Sequence, residues 1–283
     1  MDWLKSILGA LGDRDAWQLV GRVARIAAES EILQFSAIAV PVWLILHVML
    51  KKRLAHRLIG QWPSTSDIRR DIVYTLGSFV VFAMLNTVVL AMEISRQAEI
   101  YIQPMKYGAL WLVASLPLLV VWQDAYFYWT HRLLHTRWLF KRVHHVHHRS
   151  RNPSPWTGYA FHPIEALNYS VMLMIAIAAV PLNEAVLAIF LGHQIIRNTV
   201  GHAAVETMPA SFVRSRFWRH FTTTTHHHMH HESARGNYGL WFTWWDRWRG
   251  TERPDYVQRF DLATTKPPVG NAGNIHICDE GRR

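Results

Sequence analysis

Histidine is the residue type that first suggests chemistry. The chain carries 18, and twelve of them fall in two short windows, 131–148 and 220–231. In the first window His131 and His135 are four apart, the spacing of a single helix face. The run HHVHH then offers His144, His147 and His148 at i, i+3 and i+4, and HHMHH offers His227, His230 and His231 at the same spacing. Imidazole is the commonest protein metal ligand and suits iron, zinc and copper. One such pair would say little; three clusters in one chain can converge on a centre. A zinc ion takes three or four protein ligands, so eight imidazoles point to two metals. An incidental metal-binding tract or a pH-sensing patch is the blander reading, and interruption by Val146 and Met229 argues against a tag. The single Cys278 excludes an internal disulfide and any thiolate-only or iron–sulfur site.

Four apolar stretches must position these residues. Glu31–Leu50, Ile72–Met92 and Gly108–Trp122, the last extended by Tyr126–Trp129, are long enough to span a bilayer, which takes about 20 apolar residues. The fourth, Ala166–Ile196, reads as two shorter helices bent at Val180–Glu184. The fold class expected is therefore all-α, an integral membrane bundle of about four spans with a histidine-rich helical cap. Basic residues agree with that plan. Lys51, Lys52, Arg53, Arg57, Arg69 and Arg70 lie between the first two spans, and Arg132, Arg137, Lys141, Arg142, Arg149 and Arg151 follow the third. The link Glu93–Tyr107 is nearly neutral, so positive charge alternates in the order that places every box in the cytoplasm. The net charge of +10 is thereby explained without nucleic acid. Three segments are expected: an amphipathic start over 1–30 with Trp3, Leu4, Ile7, Leu8 and Leu11 on one face, a membrane domain over 31–251, and an irregular tail over 252–283 rich in Pro and Gly.

Around the boxes stand other candidates. Asp124 is seven before His131, on the same helical face, and could accept a hydrogen bond from a ligand imidazole. His162, Pro163 and Glu165 resemble a helix N-terminus, with a cap and a role beside the metals both open. His145, His226 and His228 are alternatives in register to their neighbours. Trp241, Trp244, Trp245 and Trp248 read as a packed or interfacial belt, and Asn237-Tyr238-Gly239 as a turn that fixes the third box.

The succession HRLLH, HHVHH, HHMHH, NYG and WDRWRGT over Asp124–Thr251, with HPIE at 162–165, resembles the fatty acid hydroxylase and sterol desaturase superfamily. That resemblance implies a non-haem centre of two iron ions at the cytosolic membrane face, held by His131, His135, His144, His147, His148, His227, His230 and His231, with His202 joining them. It implies dioxygen as co-substrate and hydroxylation or desaturation of a lipid, such as an acyl chain or a sterol, entering from the bilayer. The chain offers no dinucleotide fingerprint in a strand–helix context and no haem-attachment motif. Electrons are accordingly expected from a ferredoxin or a cytochrome b5-like protein with its reductase. A membrane zinc hydrolase is the alternative, weakened because HExxH is absent and Glu232 is the nearest carboxylate to a box. A transporter or sensor would need more ionisable residues in the spans than the sequence provides.

Overall fold

The computed structural model describes residues 14–265. The expected amphipathic face of Trp3, Leu4, Ile7, Leu8 and Leu11 lies outside the described residues.

Helix α1, Arg14–Trp43, contains Pro41 and passes into a π-helical turn at Leu44–Met49. The ring of Pro41 removes one backbone donor from the ladder, a recognised cause of such local adjustment. Helix α2, Thr65–Ile94, is capped by the Ser64 hydroxyl, which accepts from Asp67 N. Helix α3 runs Gly108–Leu134. The segments Gly21–Met49, Thr65–Ile94 and Gly108–Leu134 are long and apolar enough to cross a membrane. Their outer surfaces are apolar, as a non-aqueous neighbour requires: Leu110 is 84% exposed, Ile94 75% and Val113 73%. Apolar side chains facing outward along whole helices mark a surface made for lipid or another apolar neighbour rather than for water. The chain is an all-α integral membrane protein.

The fourth apolar stretch is a hairpin of two shorter helices, α4 (Pro163–Ala179) and α5 (Glu184–Gly201). At 17 and 18 residues the two lie at the short end of the roughly 17–25 that cross a bilayer, and they form the bent pair of shorter helices expected beside the three long ones. The bend is held in place by a two-residue parallel ladder, β1 (Ile100–Tyr101) with β2 (Leu182–Asn183). Asn183 serves both sides of it, capping α5 through Ala185 N and donating to the Tyr101 carbonyl at 3.0 Å. One core cluster, including Leu119, Met172 and Phe190, ties α3 to the hairpin. A second, with Phe35, Phe79, Tyr159 and Phe161, ties α1 and α2 to the loop before α4.

The ends of α3 and α5 and the starts of α2 and α4 open on one cap. There lie a π-helical turn at Phe140–His144, a 3-10 turn at His147–Arg149, and helices α6 (Thr224–Ser233), α7 (Trp244–Arg249) and α8 (Tyr256–Thr265). Two expectations need correction here. HHVHH is not one α-helical face: the change from π to 3-10 winding separates His144 and His148 from His147. The tail is irregular only in part, because α8 carries Tyr256, Phe260 and Ala263 on one buried face and packs against Met229 of α6. Pro254, Pro267 and Pro268, the signal for irregularity, all fall outside that helix.

Candidate metal centre

Nine imidazoles from four parts of the chain gather in the cap as two groups. His131, His135, His144, His148 and His230 form one; His147, His202, His227 and His231 form the other, and within each the candidate ligand atoms lie within 4.8 Å of one another. The nitrogens that meet are Nε2 atoms. His131 and His144 approach to 3.0 Å, His144 and His148 to 3.1 Å, and His135 and His230 to 3.1 Å. In the second group His202 and His227 meet at 2.9 Å and His227 and His231 at 3.2 Å. Two ligand nitrogens each about 2.1 Å from one ion, at right angles, would stand about 3 Å apart. The spacing therefore suits a shared ion in each group. The groups adjoin, with the rings of His148 and His231 4.9 Å apart.

The second nitrogen of each ring decides what the first can do. Nδ1–H of His131 donates to the Tyr238 carbonyl, of His230 to Gly236, of His231 to Ser150 and of His202 to Asn198, at 2.7–3.0 Å. His144 Nδ1 meets Glu165 Oε1 at 2.8 Å. A donor role at Nδ1 fixes the tautomer whose Nε2 lone pair is free for a metal. Burial first, and neighbouring imidazoles second, hold His144, His148, His227, His230 and His231 well below their ordinary pKa of 6.5. Neutral rings are the form that ligates.

The carbonyls come from turns with specific needs. Gly236 has φ +72°, and a Cβ there would stand 2.6 Å from the Thr251 carbonyl. At Gly239 a Cβ would meet the Phe242 carbonyl at 2.4 Å. Between them the backbone N–H groups of Tyr238 and Gly239 donate to the two oxygens of buried Asp246, at 2.8 and 2.7 Å. The 237–239 turn thus carries the acceptor for His131 of the first box, and Asn237 Nδ2 ties it to the third by donating to the His226 carbonyl at 3.0 Å.

The remaining candidates resolve differently. Asp124 meets no imidazole among the described residues. Its Oδ1 accepts from Trp241 N and Phe242 N and its Oδ2 from Trp244 Nε1, so it fastens α3 to the segment after the third box. Seven residues are two helical turns, and that rise carries Asp124 below the imidazoles to the level of Trp241. His162 caps α4 through Ile164 N and stands apart from both groups, whereas Glu165, one turn on, is buried against His144. His145 is exposed, so the register falls on His144. His226 and His228 are buried outside both groups, the former beside Tyr256 and the latter against Gly60. Trp241 is buried while Trp248 is 70% exposed, so the tryptophans divide between packing and surface.

Asp71 is absent from the sequence reading. Buried near the start of α2, it accepts from Ser150 Oγ at 2.7 Å and Thr157 Oγ1 at 2.6 Å and pairs with Arg70. Ser150 is the residue whose carbonyl holds His231. No spacing signal exists for a contact across 79 residues.

Comparison with known proteins adds three findings. A model of the fatty acid hydroxylase family matches residues 116–251. Lathosterol oxidase of Homo sapiens is 29% identical over 191 residues, covering 66% of this chain and 61% of that protein. A Delta(7)-sterol 5(6)-desaturase of Gibberella zeae is 28% identical over 191 residues, 66% of this chain and 57% of its own length. The chain thus spans about three fifths of these curated relatives. No solved structure gives a significant match. Residues 116–251, which hold the boxes, thus match the fatty acid hydroxylase family, and the sterol enzymes similar to the chain support the fatty acid hydroxylase and sterol desaturase superfamily.

Proposed function

We propose that the chain is a membrane oxidoreductase that holds two iron ions in the adjoining imidazole groups and uses dioxygen to hydroxylate or desaturate a lipid. The observation that carries this reading is the pair of groups itself: five and four imidazoles, all buried except half-buried His135, with no carboxylate among them, whose Nε2 atoms converge while most of their Nδ1 atoms are engaged elsewhere. Imidazole of this kind fits iron and does not cancel the charge of a reduced ion. When bound, the irons supply the oxidation, in which O2, two electrons and two protons convert C–H to C–OH and water, or a CH–CH unit to an alkene and two waters.

The protein's own share is geometric. Its carbonyls hold the imidazole tautomers, Glu165 orients His144, and the apolar bundle delivers the lipid while keeping bulk water away. The relatives named above are sterol enzymes, so a sterol or a similarly apolar lipid is the substrate class this reading favours. Exposed Arg137, Lys141, Arg142, Arg149 and Arg151 surround the cap. They favour its cytoplasmic placement and an acidic, separate electron donor such as a ferredoxin or a cytochrome b5-like protein. Against the zinc hydrolase, Glu232, the base that reading would use, is exposed and pairs with Arg259 at 3.2 Å.

Metal analysis of tag-free protein tests the proposal. About two irons per chain are expected from two groups of this donor chemistry, with product that requires both O2 and reductant. Hydrolytic turnover in a zinc-loaded preparation, with no oxygen-dependent product, would overturn it.

A further inference from the structure

Trp248 is 70% exposed on the cap, yet its ring begins an unbroken run of aromatic contacts that ends on the first imidazole group. Trp248 meets Trp245 with ring centres 5.5 Å apart, and Trp245 stacks on Tyr128 at 5.7 Å with 18° between the planes. Tyr128 meets Tyr238 at 6.4 Å. Tyr238 in turn lies 5.0 Å from His135, 5.5 Å from His230 and 5.8 Å from His131. A second surface ring joins the same run. Trp129, 45% exposed on α3, stands 5.4 Å from Tyr128 and 5.8 Å from Trp245. Both surface ends therefore converge on Tyr128.

Packing alone does not account for two of these residues. Trp245 Nε1 is buried without a partner among the described residues, a cost that phenylalanine in its place would avoid. Tyr128 is fully buried, and its hydroxyl meets Thr251 Oγ1 at 3.0 Å. Thr251 donates its one hydroxyl proton to Asp246 Oδ1 at 2.7 Å, so Tyr128 is the donor to Thr251. A phenol with a hydroxyl and a carboxylate in line behind it has a place for its proton when it loses an electron. Direction follows from the side chains themselves. Indole and phenol rings give up an electron far more readily than they accept one, so such a run carries oxidising equivalents outward and not reducing electrons inward.

We propose that this run is a discharge route, taking oxidising equivalents from the imidazole groups to the surface when no lipid is there to receive them. It rests on the oxygenase reading for the source of those equivalents, dioxygen. One electron passes inward from Tyr128 across the Tyr238 ring, the Tyr128 proton moves to Thr251 Oγ1, and the Thr251 proton moves to Asp246. Trp129, or Trp248 through Trp245, then returns an electron to Tyr128, and both protons move back. The surface indole, left one electron short, is refilled by the separate electron donor of that reading. Each pass uses one donor electron and removes one oxidising equivalent, and no bond of the protein is altered.

The test uses the full chain in dioleoylphosphatidylcholine nanodiscs, loaded with zinc, which is redox-inert. With Cys278→Ser in place, exposed Arg249→Cys carries a tethered ruthenium tris-bipyridine, and flash oxidation starts beside Trp248 and Trp129. Electron paramagnetic resonance is expected to record a tyrosyl radical. Tyr128→Phe should abolish it. Thr251→Val, which leaves every ring in place, should lower its yield about five-fold, the worth of one hydrogen bond, and carries the test should Tyr128→Phe fail to fold. Absence of the tyrosyl signal in the parent, or an undiminished yield in either folded variant, would overturn the proposal and leave the rings as packing. Iron-loaded chain given O2 without lipid should be oxidised at Trp248 or Trp129 once the donor is exhausted, as read by mass spectrometry. Oxidation at His131, His135 or His230 instead would also overturn it. Failure of that preparation to consume O2 would sink the oxygenase reading, whereas the ruthenium experiment, which needs no iron, still decides whether the rings conduct.

Discussion

Glu165 and Asp71 act on the imidazoles from opposite sides, one directly and one through the backbone. Glu165 touches His144 at 2.8 Å, and loss of a carboxylate behind a ligand histidine typically costs 10–100-fold in metal affinity or activity. Glu165→Ala should therefore weaken iron binding by about that factor, and Glu165→Gln, which keeps an acceptor, by much less. An alanine variant with native iron affinity would show that His144 needs no such partner. Asp71 gathers Ser150, Thr157 and Arg70 and so fixes the carbonyl that receives His231 Nδ1–H. Asp71→Leu should lower iron content from about two per chain toward one, because only the group of His147, His202, His227 and His231 depends on that carbonyl. A proportional loss from both groups, read by Mössbauer spectroscopy, would mean that the variant merely unfolds the cap. The nine imidazoles are legible in sequence because chemistry and spacing coincide within a few residues. Asp71 is not, since its effect passes through a serine on another element, and Asp124 misleads because a shared helix face does not reveal the height of its partners.

At the scale of elements, helix α6 shows what a purely local reading can and cannot supply. The spacing of HHMHH identifies a helix and selects one face, yet every residue from Thr224 to His231 is buried. The other face is covered by α8, a helix hidden in the sequence by the prolines that flank it. Burial then sets the behaviour of His226 and His228, which belong to neither metal group. Each is pushed from 6.5 down to about 4, chiefly because a charged ring would lose its water. The unfolded chain begins to take up protons on these residues as pH falls below 6.5, while the folded helix refuses them until about 4. Stability is therefore complete above that window and is lost as pH falls through it. Metal-free protein should show a falling Tm between pH 7 and pH 5, to which the buried imidazoles of both groups also contribute, and Phe substitutions at both positions should make the fall shallower without abolishing it if they fold. A Tm independent of pH across that range would contradict the burial of these rings.

For the whole molecule, the question is which side of the membrane the cap occupies. Alternation of spans and the gathering of basic residues at the box end are legible from sequence alone. The hairpin is less so, since its two helices are held at the bend by pairing of Leu182 and Asn183 with Ile100 and Tyr101, 82 residues away. That pairing brings the link before α3 and the bend after α4 to the same end of the bundle, opposite the cap. The far end carries little net charge, with Lys106 paired to Glu99, whereas the cap exposes Arg137, Lys141, Arg142, Arg149 and Arg151. Positive residues retained on the cytoplasmic side set the orientation of a bundle like this one. With Cys278 replaced by Ser, a cysteine introduced at Arg142 should react with an impermeant maleimide only from the cytoplasmic side, and one at Gln103 only from the other. Both positions are exposed, so accessibility within the fold does not bias the result. Labelling of both from one side would mean that α3 does not cross the bilayer, and a cap on the outer face would deprive the imidazoles of any cytosolic electron donor.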